Sequence, residues 1–221
     1  MTARPVSTYR NSFAALRGFA RSRAPEERCE VCGVTLLAEH THLLDPIRRQ
    51  VMCACEACAL SVGQREGSAF LRLPTEVCWL EEFNLSDGQW DDLLIPVGMA
   101  FFFFSRAAGK MMAYYPSPAG PTECLLSLEA WEAIVAENSS LAKLRPDVEA
   151  LLVNRVNGTR EYYLAPLDKC YQLVGLIRSK WRGLSGGTEV WAGIAAFFAD
   201  LKAQSLRAQP DISPATGGLD A

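Results

Sequence analysis

The chain predicts an α+β fold: a small cysteine-rich module near the N-terminus, then a largely antiparallel sheet domain with packed helices. Three observations predict it. Five cysteines fall between residues 29 and 58. Apolar runs of strand length, separated by turn residues, occupy the middle of the chain. Two stretches with helical spacing close it. Strands that come in hairpins, broken by helices, build an antiparallel α+β sheet rather than an alternating parallel one.

The cysteines read Cys29-Glu30-Val31-Cys32, then Cys53-Ala54-Cys55-Glu56-Ala57-Cys58. Two Cys-x-x-Cys knuckles about twenty residues apart are the signature of a tetrahedral thiolate metal site. Two intervening residues let a tight turn aim both sulfurs at one ion, and a second such turn completes the shell. Gly33 follows the first knuckle, where the turn calls for a positive φ that glycine adopts without strain. Cys29, Cys32, Cys55 and Cys58 keep the spacing in both knuckles and are the expected ligands. Cys53 is then a spare, a substitute ligand or a redox partner. His40 and His42, the two histidines of the chain, lie between the knuckles, where either can replace a thiolate. His42 can also serve as a hydrogen-bonding group behind a ligand. Four thiolates favour zinc, which makes residues 26–62 zinc-ribbon-like. Iron, or an iron–sulfur cluster, uses the same ligand chemistry and stays open as an alternative. A unit this small cannot hold a core alone. A structural zinc would supply about 10–16 kcal/mol of apparent binding free energy to its folding.

The remaining elements follow in chain order. Residues 1–25 read as a basic amphipathic arm: Phe13, Leu16 and Phe19 or Ala20 share one face, and Arg10, Arg17 and Arg21 much of the rest. Within the metal module, His42–Asp45 and Arg49–Met52 read as two short strands with Pro46 in their connection. The second domain runs over residues 69–206. Phe70–Leu73 is a short strand. Ser86 with Gln89 forms a capping box that opens a short helix through Trp90 and Leu94. The apolar stretch Leu93–Phe104 is about half the length a membrane span needs, so a buried strand is the better reading. Ile95–Ser105 and Lys110–Tyr115 form a hairpin across Ala107-Ala108-Gly109. Pro116, Pro118, Gly120 and Pro121 then read as a loop. Ser127 caps a helix whose Trp131, Ile134 and Val135 face inward. Val148–Val156 and Thr159–Leu164 flank Asn157-Gly158, a strong hairpin signal. A helix runs over Leu167–Trp181 and stops at Gly183. The last helix, Glu189–Ala203, buries Val190, Ile194, Phe197, Phe198 and Leu201. Cys78, Cys124 and Cys170 sit among apolar residues as buried thiols. Residues 207–221 read as a disordered tail.

Composition narrows the function classes. Hydrophobic content of 49% with 21% charged residues is that of an ordinary globular chain. The net charge of −3 argues against nucleic acid as the partner, although a zinc-ribbon module gripped by the arginine-rich arm stays as an alternative. No signal-peptide pattern opens the sequence, so a cytoplasmic protein without a transmembrane segment is expected. Catalytic signatures are missing. The second domain contains no histidine, so no Ser–His or Cys–His pair can form within it. Gly183-Leu184-Ser185-Gly186-Gly187-Thr188 lacks the ending of a phosphate-binding loop and reads as a helix stop followed by a helix cap. These residues point to a metal-binding protein that is not an enzyme.

Five strings carry a resemblance: Cys-Glu-x-Cys-Gly at 29–33, His-Leu-Leu-Asp at 42–45, Cys-Ala-Cys-x-Ala-Cys-Ala-Leu at 53–60, Ile-Pro-Val-Gly-x-Ala-Phe-Phe at 95–102 and Arg-Gly-Leu-Ser-Gly-Gly at 182–187. Together they resemble a bacterial domain-of-unknown-function family whose genes accompany those of the actinobacterial-type nickel–iron uptake hydrogenase. The resemblance covers about residues 13–203. It implies a role near hydrogenase assembly or electron transfer, with a hydrogenase subunit or maturation factor as protein partner. That implication rests on gene association rather than on the chemistry of a site.

Overall fold

The computed structural model describes residues 26–63 and 70–207. The arm expected over residues 1–25 lies outside them, as does the tail expected over 207–221 apart from Arg207.

Strands β1 (Thr41–Asp45) and β2 (Gln50–Ala54) form an antiparallel hairpin. Its turn begins at Pro46, and the Asp45 carboxylate closes it by accepting the N–H groups of Ile47 and Arg48, both at 2.9 Å. Helix α1 (Glu56–Gly63) follows at once. The strand expected over Phe70–Leu73 is β3 (Leu71–Arg72), and it pairs with the free edge of β1. This small sheet therefore has the order β2-β1-β3.

The large sheet has seven strands: β4 (Cys78–Trp79), β5 (Met99–Ser105), β6 (Lys110–Ser117), β7 (Gly120–Cys124), β8 (Glu149–Asn154), β9 (Glu161–Pro166) and β10 (Leu206–Arg207). Their order is β10-β4-β9-β8-β5-β6-β7, and every pairing is antiparallel except β10 with β4. Helices α2 (Asp87–Asp92), α3 (Leu128–Glu137), α4 (Leu167–Lys180) and α5 (Gly187–Gln204) cover it.

The run of four phenylalanines is explained by burial on both faces. Side chains alternate along a strand. Phe101 and Phe103 enter one core with α4 and α5, while Ala100 and Phe102 enter another with Trp131 and Ile134 of α3. β8 and β9 divide the same way: Leu152 and Tyr163 go to the first core, Leu151 and Tyr162 to the second. The first core also receives Leu44 of β1 and Leu73 just after β3. The small sheet is thus bolted to the large one through apolar contact, and Arg49 in the β1–β2 turn adds a hydrogen bond to the Tyr114 hydroxyl.

Four expectations are corrected. The segment read as a proline loop is a second hairpin, with Pro116 opposite Pro121. Pro121 sits on the edge strand, and Pro116 lies beyond the last β5–β6 pair, so neither ring interrupts a ladder that needs its N–H. The helix through Trp90 stops at Asp92, and Leu94 turns out into solvent with φ 53°. Val135 is exposed, while Trp131 and Ile134 carry the apolar face of α3. Of the three isolated thiols only Cys170 is fully buried; Cys78 and Cys124, at the thin ends of the sheet, are half-buried. The Ser86–Gln89 capping box, the Ser127 cap, and all five inward residues of α5 are present as expected.

The link between α4 and α5 is most crowded at Gly186. Gly186 has φ 87°, and a Cβ there would lie 2.8 Å from Val190 Cγ1 and 3.1 Å from the Trp181 ring. A side chain meets both a left-handed backbone and an occupied space. Gly186→Ala is expected to lose about 2–5 kcal/mol, summing the left-handed penalty and overpacking. Urea unfolding of the two proteins measures it.

Candidate metal centre

Each knuckle is a different kind of turn. The first is a tight hairpin: Cys29 N–H donates to the Val34 carbonyl at 2.9 Å and Gly33 N–H to the Cys29 carbonyl at 2.8 Å, with Gly33 at φ 78°. The second is a strand running into a helix. β2 ends at Ala54, Cys55 enters the turn, and Cys58 lies in the first turn of α1. Glu56 secures that helix. Its carboxylate accepts the Thr41 hydroxyl at 2.8 Å and both ends of the Arg72 fork at 2.7 and 2.9 Å. Chiefly this Arg72 pairing, helped by Thr41, holds the Glu56 carboxyl below the usual carboxylate range.

The two turns face each other. The Sγ atoms of Cys29, Cys32, Cys55 and Cys58 all lie within 4.8 Å of one another. Cys32 and Cys55 sulfurs are 3.8 Å apart. That separation excludes a disulfide, whose sulfurs stand about 2.05 Å apart. It equals the edge of a tetrahedron of sulfurs around zinc, since a Zn–S distance of about 2.3 Å gives an edge of about 3.8 Å. The donor set therefore suits zinc, and Cys29, Cys32, Cys55 and Cys58 are the residues that can hold it.

The thiols show the strain of such a gathering. Burial raises the Cys29 thiol, but N–H groups of Cys55, Cys32 and Val31 outweigh it and bring it down to about 6. Cys58 is pushed up to about 12, first by its hydrogen bonds to Cys55 and Cys32 and then by burial. A divalent ion held between the four sulfurs would let all of them ionise.

Residues 28–205 match the family model for a family of unknown function, DUF5947. The chain belongs to the DUF5947 family. The match takes in all four converging thiols as well as both histidines. No curated protein and no solved structure matches the chain. Among the described residues of this DUF5947 chain, no helix is long and apolar enough to cross a membrane.

Cys53, expected as a spare, a substitute ligand or a redox partner, and His42, expected to replace a thiolate or to stand behind a ligand, fall in a group of their own. They are directly opposite each other on the β1–β2 hairpin. Together with His40 they form a separate group. The pairing of the two strands puts Cys53 beside His42, whereas Cys55 lies past the end of β2 at Ala54, where the chain turns into α1. The register was within reach of sequence reasoning. A turn centred between Ile47 and Arg48 sets His42 against Cys53. What no local pattern signals is Asp168, which reaches His42 Nδ1 at 2.6 Å from 126 residues away.

Proposed function

We propose that this DUF5947 chain is a metal-binding, non-catalytic accessory protein, in which a structural zinc stabilises a docking module. We place it in the cytoplasm, in the assembly or maturation of a nickel–iron hydrogenase. The convergence of Cys29, Cys32, Cys55 and Cys58 within 4.8 Å carries the metal half of the reading. A shell closed by four protein sulfurs keeps no coordination place for a substrate, which is the mark of structural rather than catalytic zinc. The accessory half is supported by the gene association that the sequence resemblance implies, and by a sheet domain without histidine. The partner in this reading is a hydrogenase subunit or maturation factor.

Iron in the same four-thiolate cage is the rival, because the donor set is common to both metals. It would make the protein an electron carrier for the hydrogenase. Anaerobic purification separates the two. The zinc reading expects a colourless protein that retains zinc and contains no iron by elemental analysis. Visible thiolate-to-iron absorbance that bleaches reversibly on reduction would overturn it. A clean deletion of the gene tests the accessory role: the expected result is hydrogenase protein lacking activity, cofactor or clusters, and normal hydrogenase rejects it.

A further inference from the structure

We propose that His40, His42 and Cys53 form a second transition-metal site, separate from the four-thiol centre, with an open coordination position. One imidazole nitrogen from each histidine and the Cys53 sulfur lie within 4.8 Å of one another. Two imidazoles and a thiolate are a donor set for borderline-soft divalent ions such as zinc, copper, nickel or cobalt.

The hydrogen bonds prepare both rings for this. His42 Nδ1 meets the Asp168 carboxylate at 2.6 Å, and His40 Nδ1 meets the Leu37 carbonyl at 2.9 Å. Carboxylate and carbonyl oxygens only accept, so Nδ1 carries the proton in each ring. In a neutral ring with that tautomer, Nε2 keeps its lone pair. A carboxylate or a backbone carbonyl behind a histidine is the arrangement that fixes the ring and its tautomer in metal sites. The His40 side chain is only 7% exposed, and its Nε2 is buried with no hydrogen-bond partner. Buried polar atoms without partners are rare, and each calls for a reason. A metal ion supplies one.

The geometry of the rings agrees. Their centroids are 4.7 Å apart and the planes are inclined at 72°, edge to face rather than stacked, which allows two nitrogens to point at one place. Cys53 comes from the opposite strand, and its main chain is held on both sides. Its N–H donates to the Glu30 carboxylate at 2.8 Å and its carbonyl accepts from Glu30 N–H at 2.9 Å. Glu27 lies 3.6 Å from His40 Nδ1, so the surroundings add negative charge that favours a cation. His42 is 28% exposed and Cys53 half-buried, which gives an ion a way in and out. Three protein ligands are the count of an open site, in which water or an incoming ligand takes the fourth place. Such an ion exchanges more readily than one caged by four sulfurs.

The test uses the full chain with its tightly held metal in place, titrated anaerobically with cobalt(II). The expected result is one further equivalent, with visible d–d bands and a thiolate-to-cobalt charge-transfer band. His40→Gln and His42→Gln should each abolish binding of that equivalent and leave the first ion bound. Cys53→Ser should remove the charge-transfer band. Asp168→Asn should weaken cobalt 10–100-fold without changing the count, as loss of a ligand's hydrogen-bonding partner does. Absence of a further equivalent in the unaltered chain overturns the proposal, whatever the variants do. So does a further equivalent that is unchanged in all three ligand variants. The outcome is distinguishable from failure of the four-thiol reading, because zinc at the first centre is counted by elemental analysis and cobalt at the second by its absorption bands.

Discussion

Under the proposed zinc reading, replacing Cys29 by serine will release the ion of the four-thiol centre and unravel both knuckles while leaving the large sheet folded. A serine hydroxyl does not ionise in the accessible pH range, so the shell loses one of its four charges and its most enclosed ligand. Cys29 is 2% exposed and shares a small core with Leu43, Ala54 and Ala59. That core is too small to hold residues 28–62 in place, and the apparent binding free energy of a structural zinc, about 10–16 kcal/mol, is on the scale of a whole domain's stability. The damage should nevertheless stop at a definite line. Leu44 and Leu73 belong to the core under the large sheet, so β1 and β3 keep an anchor that the knuckles lack. Hydrogen exchange on the variant should therefore show lost protection over Cys29–Leu36 and over α1, with β5, β8 and β9 as slow as before. Elemental analysis should show the corresponding zinc gone. Full protection at the first knuckle in a zinc-free variant would mean that the module folds without its ion.

Burial on two faces made much of this fold legible. Phe101 to Phe104 read better as a buried strand than as a membrane span, and the structure gives Phe101 and Phe103 one apolar core and Phe102 another. Caps were equally readable, since Ser86, Gln89 and Ser127 announce helix starts by local hydrogen bonding alone. The Asn157-Gly158 turn appears with Asn157 at φ 54°, but β8 and β9 pair only from Asn154 and Glu161 outward, so the loop is wider than a two-residue turn. Failures came where neighbours rather than local sequence decide. Prolines at 116 and 121 read as breakers until the ladder shows that their missing N–H groups have no strand to bond. The cysteine spacing announced the four-thiol centre because both knuckles are local. His42 and Cys53 meet by strand register, and Asp168 meets His42 only because β9 delivers α4 beside β1, the central strand of the small sheet. Contacts of that second kind leave no periodic trace.

Phe101→Ala should be among the most damaging substitutions in the large sheet, and its effect should reach the small one. Phe101 is fully buried on the inner strand β5, stacked on Tyr114 at 5.6 Å and Phe103 at 6.4 Å and met edge-on by Tyr171 at 6.1 Å. Emptying such a site costs about 3–5 kcal/mol, which is a large part of the 5–15 kcal/mol that holds a typical protein folded. For a chain of this length that corresponds to a fall of about 6–20 °C in Tm. Phe102→Ala offers the control, because Phe102 is equally buried but points to the opposite face and stacks on Trp131 at 5.2 Å. The two variants should lose similar global stability. They should differ at the β1–β2 turn. Tyr114, whose ring rests on Phe101, also binds Arg49 through its hydroxyl and lies under the Arg49 guanidinium at 5.9 Å. When Phe101 is lost, Tyr114 gains room to tilt, and the turn loses the floor beneath Arg49. Amide exchange at Arg49 and Gln50 should quicken in Phe101→Ala beyond the change in global stability, and in Phe102→Ala should follow global stability alone. Equal acceleration in both variants would show that the small sheet is held by its own turn and ion, and that the aromatic stack beneath it transmits nothing.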